Sequence, residues 1–223
     1  SGNTYVLDNS GKLEIVDTSS AQTGTIDNSA YRAIKNQKEL ILTNGTISIG
    51  AGTSSNYQRG IDNTETGIFT MNGGTISGNE AGKLGGGIWH RVYHINSSDN
   101  AEGLFVMNGG TVSQNRLTDT SGKGGGVYSD GDMKLSGSPN IAGNTAVNLY
   151  LASDKLVSAS GLATGVRIGV NKEIVQSGTT PVTITNDIVK ENYFVSENSA
   201  YETGMNSEGC VVMNLKDPSL IPL

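Results

Sequence analysis

Both histidines of this chain, His90 and His94, fall in one stretch beside Arg91, and two acids, Asp130 and Asp132, follow in a second stretch. Histidines spaced by four share one face of a helix and can hold zinc. The sequence indicates no third ligand, so no metal and no other cofactor is expected. Two aspartates separated by one residue point the same way on a strand, an arrangement that lets a glycoside hydrolase or lyase manage protons around a sugar linkage. His90 as a base and Arg91 as a partner for a developing anion would complete such a centre. Asp130 and Asp132 also follow Ser129 at a turn, where solvated aspartates are common. Catalysis by these four residues is therefore the second reading, behind binding.

Trp89, Tyr128 and Tyr150 carry the binding reading. Each comes directly after an aliphatic residue, Ile88, Val127 or Leu149. On a strand whose aliphatic residue turns inward, the ring after it turns outward. Three such rings in a column suit the apolar faces of sugars. The opposing expectation is that residues 90–102, or the C-terminal part of the chain, cover the column. Tyr57, Arg59, Arg116 and Asp119, with Glu80, Lys83 and Lys123, sit in loops, and His94 sits in the 90–102 excursion. These are candidates for ligand contact, with a solvated charged rim as the plainer reading. A further outward rank, Thr25, Thr46, Thr75 and Thr111, is accompanied by Asp27, Ser48, Ser77 and Ser113. A flat array of hydroxyls resembles the surface of ice-binding β-helices, although threonine is also simply a good exposed strand residue.

A repeat positions all of these side chains. Residues 67–79 and 103–115 are nearly the same, each holding Met-Asn-Gly-Gly-Thr, and each is followed by three glycines and an aliphatic–aromatic pair. Aligning the rest of the chain under them gives apolar pairs spaced by two: Leu13/Ile15, Leu40/Leu42, Phe69/Met71, Phe105/Met107, Met133/Leu135 and Val157/Ala159. Such alternation marks strands with one buried face. A second strand supplies Ile26, Ile47, Ile76, Val112 and Ile141. A third supplies Ile34, Ile61, Ile88, Val127 and Leu149. Leucine-rich, helix-pair and four-stranded propeller repeats would leave other traces. Three inward ladders predict a parallel β-helix, right-handed by the chirality of crossover connections, with about six rungs.

The Asn-Gly-Gly turns at Asn72 and Asn108 suit positive backbone φ, and a stacked ladder including Asn44 is expected there. A second ladder, Asn79, Asn115 and Asn144, is expected to close the second strand. On these residues the chain resembles the glycine-rich right-handed β-helix repeats of the pectate-lyase-like superfamily, found in bacterial secreted and surface proteins. Later stretches around residues 148–157, 165–170 and 193–198 are similar to the same group. The resemblance implies the fold over most of the chain and an extracellular or cell-surface location. It implies little about activity, because relatives include both polysaccharide-cleaving enzymes and repeats without assigned activity.

Composition narrows the partners. The net charge of −6 argues against nucleic acid, which needs clustered cations, and no apolar run approaches a membrane span. The chain has 31 glycines and only four prolines, which fits many short strands joined by tight turns. Its one cysteine, Cys210, cannot form an internal disulfide. Insertions fall only in the middle rungs, so residues 48–60, 79–85 and 115–124 should stack as a wall of loops. The expected organisation is an N-terminal cap over 1–11, the coil over 12–169, and a β-rich C-terminal cap or junction over 170–223. The expected function is a non-enzymatic, structural or adhesin-like monomer, with a polysaccharide or host or cell-surface glycan as its partner. The alternative is a polysaccharide lyase or glycoside hydrolase working in a cleft beside the middle rungs.

Overall fold

The computed structural model describes residues 5–27, 32–48, 59–92, 103–174, 181–189 and 192–217. No helix occurs among the described residues. Alternating apolar runs end at Gly, Asn or Ser within a few positions, so the strands are short.

Most of the strands join three parallel sheets. An eight-stranded sheet runs Tyr5–Asn9, Arg32–Asn36, Ile61–Asn63, Ile88–Arg91, Val127–Asp130, Leu149–Leu151, Ile168–Lys172 and Phe194–Ser196. A six-stranded sheet runs Lys12–Ile15, Glu39–Leu42, Ile68–Met71, Leu104–Met107, Asp132–Gly137 and Val157–Leu162. A five-stranded sheet runs Thr25–Asp27, Thr46–Ser48, Thr75–Ser77, Thr111–Ser113 and Asn140–Ile141. Over this region the chain visits the eight-, six- and five-stranded sheets in rotation, each time pairing beside the strand it made one turn earlier. The result is an all-β architecture of stacked parallel sheets, compatible with a parallel β-helix.

The three apolar ladders lie in the expected register. Leu13, Leu40, Phe69, Phe105, Met133 and Val157 are successive partners, as are Ile26, Ile47, Ile76, Val112 and Ile141, and Ile34, Ile61, Ile88, Val127 and Leu149. From the second turn onward these side chains are buried and form one core. A parallel stack places like over like, and the rings of Phe69 and Phe105 lie 5.2 Å apart and 4° from parallel.

The eight-stranded sheet continues past both sequence-derived boundaries. Tyr5–Asn9 pairs in parallel with Arg32–Asn36, placing Leu7 beside Ile34. At the other end Ile168–Lys172 pairs with Leu149–Leu151, and Phe194–Ser196 pairs with Ile168–Lys172. Ile168, Val170 and Phe194 supply the buried residues for these turns without the Asn-Gly signal that marks earlier ones. Beside them Val182–Thr183 and Tyr201–Met205 flank Val211–Leu215 in a small antiparallel sheet.

Glycine is required in the Asn-Gly-Gly turns. Gly74 and Gly110 have φ of 73° and 87°, and a Cβ on either would sit within 2.8 Å of a carbonyl in the turn below. Asn108 Nδ2 donates to Asn72 Oδ1 at 2.9 Å, as expected of a turn ladder. Asn44 Oδ1 instead accepts from the backbone N–H of Asp17 in the preceding turn.

Truncating Phe105 removes one member of a stacked pair whose surroundings are held by strands on both sides. Phe105→Ala should lower unfolding free energy by about 3–5 kcal/mol. Ile68→Ala, at a 40% exposed position on the same sheet, should change it by about 0.5 kcal/mol or less. Urea titrations of both variants check this, and equal losses would count against a packed coil interior.

Candidate functional site

Strand Ile88–Arg91 turns Ile88 and His90 inward and leaves Trp89 and Arg91 partly exposed on the outer side. Trp89 registers with Tyr128, and Tyr128 with Tyr150, so the three rings form the expected column. The tyrosine rings stack at 5.9 Å and 16°. Cations lie along the same column. The Arg59 guanidinium is 4.2 Å from the Trp89 ring centre, that of Arg91 is 5.1 Å away, and Lys123 Nζ is 5.1 Å from the centre of Tyr150. Such contacts add about 0.5–2 kcal/mol each, most where water is excluded.

Each cation also meets a carboxylate. Arg91 bonds Asp62 at 3.0 Å and Glu65 at 3.1 Å, Arg59 approaches Asp62 at 4.0 Å, and Lys123 bonds Glu173 at 2.6 Å. Asp62 is buried, so these partners offset the cost of holding its charge away from water. The column is largely covered, with Tyr128 and Tyr150 only 9% and 8% exposed. Loss of water pushes the Tyr128 phenol up to about 12, aided by the charges of Asp130 and Glu173. Burial likewise raises Tyr150, so both phenols keep their protons at neutral pH. The indole N–H of Trp89 is buried with no hydrogen-bond partner among the described residues.

The other predicted residues divide among different places. Arg116 pairs with Glu80 where Arg116–Leu117 lies parallel to Glu80–Ala81. Asp119 accepts from Ser121 N–H at 2.9 Å and Ser121 Oγ at 2.7 Å and faces Lys83 at 3.7 Å. These bonds hold the Asp119 carboxyl below its ordinary range. The loops over 79–85 and 115–124 therefore do stack, with a further bridge between Leu84 and Lys123, while most of the third loop expected in that wall, 48–60, lies outside the described residues. Of the charged residues named there, Lys123 is the one that reaches the aromatic column. Tyr57 and His94 lie outside the described residues, as does the side chain of Asp132. Asp130 ends a strand of the eight-stranded sheet and Asp132 begins one of the six-stranded sheet, so no single strand aligns the two acids.

His90 belongs to a ladder that periodicity in the sequence could have shown. Asn9 Nδ2 donates to Asn36 Oδ1 at 2.8 Å, Asn36 Nδ2 to Asn63 Oδ1 at 2.7 Å, and Asn63 Nδ2 lies 3.0 Å from His90 Nδ1, each step 27 residues. With Asn63 oriented by this chain of bonds, His90 Nδ1 accepts, which leaves the ring proton on Nε2 beside Gly131. The imidazole is fully buried and meets Phe105 edge-on at 6.4 Å. It is turned away from the aromatic column.

Compared with known proteins, the chain matches no family model, no curated protein and no solved structure. Function must be argued from these side chains. Among the described residues no group of three His, Cys, Asp or Glu is placed to hold a metal ion. What the outer face offers is an aromatic strip with its charges nearly balanced.

A third buried group lies one register step above Leu151. Lys172 is 5% exposed, and its Nζ donates to the carbonyls of Lys155 at 2.6 Å and Thr183 at 2.9 Å. Burial pulls its ammonium down to about 8 from an ordinary 10.5.

Two outcomes follow from these buried groups. His90→Ala should cost about 2–4 kcal/mol through a cavity beside Phe105 and a lost acceptor, while His90→Asn, which continues the amide ladder, should cost less than half of that. Equal costs in thermal unfolding would dismiss the ladder role. For Lys172 the folded state releases its proton before the unfolded chain does, so stability should rise between pH 8 and 10.5, by about 3 kcal/mol at most. Tyr128 acts in the opposite sense above pH 10, because the unfolded phenol ionises first and stability is then lost up to about pH 12. Lys172→Met should remove the rise and leave the fall, as read by urea unfolding across this pH range.

Proposed function

We propose that the chain is a right-handed parallel β-helix of about six rungs, of the pectate-lyase-like kind it resembles in sequence. On this reading it serves as a non-catalytic module of a bacterial surface or secreted protein, a rigid adhesin-like element whose ligand is a glycan. The observation that carries the glycan reading is the in-register column of Trp89, Tyr128 and Tyr150. Aromatic faces on a rigid sheet bind the C–H faces of sugars; Trp89 is the partly exposed ring of the three, and the neighbouring Glu65 and Arg91, also partly exposed, offer hydrogen bonds to hydroxyls.

The non-catalytic reading is supported by what the candidate catalytic groups are doing. His90 is buried in an amide ladder, Arg91 is held by two carboxylates, and Asp130 and Asp132 stand on strands of different sheets. Arg59 lies over Trp89 where a sugar ring would stack. Engagement of a sugar therefore goes with displacement of Arg59 from the indole.

A glycan array with the purified chain should show at least one specific ligand. Trp89→Ala should weaken that ligand by about tenfold or more, and Arg59→Ala should strengthen it by freeing the ring. An array on which neither the parent chain nor the Arg59→Ala variant binds would end the glycan reading. Release of shortened or unsaturated sugars on incubation with a hit would overturn the non-catalytic one.

A further inference from the structure

The five-stranded sheet presents a surface unlike the other two. Its outward positions are Thr25, Thr46, Thr75 and Thr111 in one rank, which Asn140 ends, and Asp27, Ser48, Ser77 and Ser113 in a second. Thr25 pairs with Thr46, Thr46 with Thr75, and Thr75 with Thr111; Asp27 pairs with Ser48, and Ser77 with Ser113. Asp27 is the one charged side chain in these ranks. The six-stranded sheet, in contrast, carries Lys12, Glu14, Glu39 and Lys134, and the eight-stranded sheet carries Asp8, Lys35 and Asp62.

Most hydroxyls of this face are also unspent, the exception being Thr25, whose Oγ1 donates to the Thr23 carbonyl at 3.2 Å. Elsewhere on the coil Thr43 bonds Glu14, Thr64 bonds the Asn36 carbonyl, Thr66 bonds the Gln37 carbonyl and Ser136 bonds Asn108. The side chains of Thr46, Thr75, Thr111, Ser48, Ser77 and Ser113 make no hydrogen bond to any described residue and stand partly exposed. Their donors and acceptors are left for whatever lies outside.

The backbone beneath them is fixed. Asn79 Nδ2 donates to the Ile47 carbonyl at 3.2 Å, Asn115 Nδ2 to Ile76 at 2.9 Å and Asn144 Nδ2 to Val112 at 2.9 Å. Each amide thus ties the central residue of one strand to the turn above it. The hydroxyl ranks recur at about 4.8 Å along the stack and about 6.7 Å across it, set by strand spacing and the two-residue pleat. Rows of oxygen in hexagonal ice recur at comparable distances. A rigid, nearly uncharged array in which most hydroxyls are free loses little entropy on meeting an ordered surface of matching spacing.

We infer that the Thr/Ser face of the five-stranded sheet binds a crystalline water surface, adsorbing to ice and slowing its recrystallisation. The inference is independent of the glycan reading, which concerns the eight-stranded sheet.

Two measurements test it, adsorption of the purified chain to a cooled ice surface and inhibition of ice recrystallisation. The parent chain should be enriched in the ice fraction by about tenfold over an albumin control. Thr75→Lys and Thr111→Lys place a flexible cation in the array and should return enrichment to the control level. Ile68→Lys, on the six-stranded sheet, should leave it unchanged. Circular dichroism melts identify any variant that fails to fold, and Thr46→Lys then takes its place. A parent chain that stays in the liquid, or threonine variants that adsorb as well as the parent, would overturn the inference.

Discussion

A parallel stack keeps its shape only while each turn holds the register of the turn beside it, and in this chain buried amides hold that register. Apolar ladders alone tolerate slippage, since Ile over Val buries nearly as well as Ile over Ile. An amide does not, because its donor and acceptor must each find a partner once water is excluded. Asn36 Nδ2 meets Asn63 Oδ1 and also the Ile68 carbonyl, joining the eight-stranded sheet to the six-stranded one. Asn115 Nδ2 meets Asn144 Oδ1 and the Ile76 carbonyl, anchoring the end of the five-stranded sheet. Two corners of the turn are thus tied by amides and the third by Asn-Gly-Gly. The outer faces inherit their regularity from these corners.

Much of this was legible in the residues. The three apolar ladders could be read because alternation by two is short-ranged, and every residue placed in them pairs as aligned. The Asn79, Asn115 and Asn144 ladder was legible for the same reason, since each member directly closes a strand. The ladder of Asn9, Asn36 and Asn63 was less visible. Its members sit at the ends of strands whose flanking sequences differ, and its fourth member is a histidine that reads locally as a chemical group. The last turns were hidden as well, because Phe194 joins the sheet without the glycine and asparagine signals that announce the earlier turns.

The candidate site was legible in position but not in state. Outward placement of Trp89, Tyr128 and Tyr150 follows from parity along their strands. Their coverage depends on Arg59, Arg91 and Lys123, which arrive from other segments and bring carboxylates with them. Parity cannot report such long-range partners. The same limit explains Lys172, an inward position filled by a cation whose carbonyl partners come from Lys155 and Thr183.

The two amide ladders also have a direction. In each, Nδ2 of one residue points toward the oxygen or ring nitrogen of the next member, so the amide dipoles add along the row instead of cancelling. One series ends on the imidazole of His90. The other passes from Asn79 through Asn115 and Asn144 to Asn148, whose amide and backbone N–H both donate to the carboxylate of Glu197. The positive end of an aligned row therefore terminates on an anion, much as a helix end is matched by a charge of opposite sign. Gly169 lies directly beside that carboxylate. Glu197 is thus the counter-charge of that row of amides.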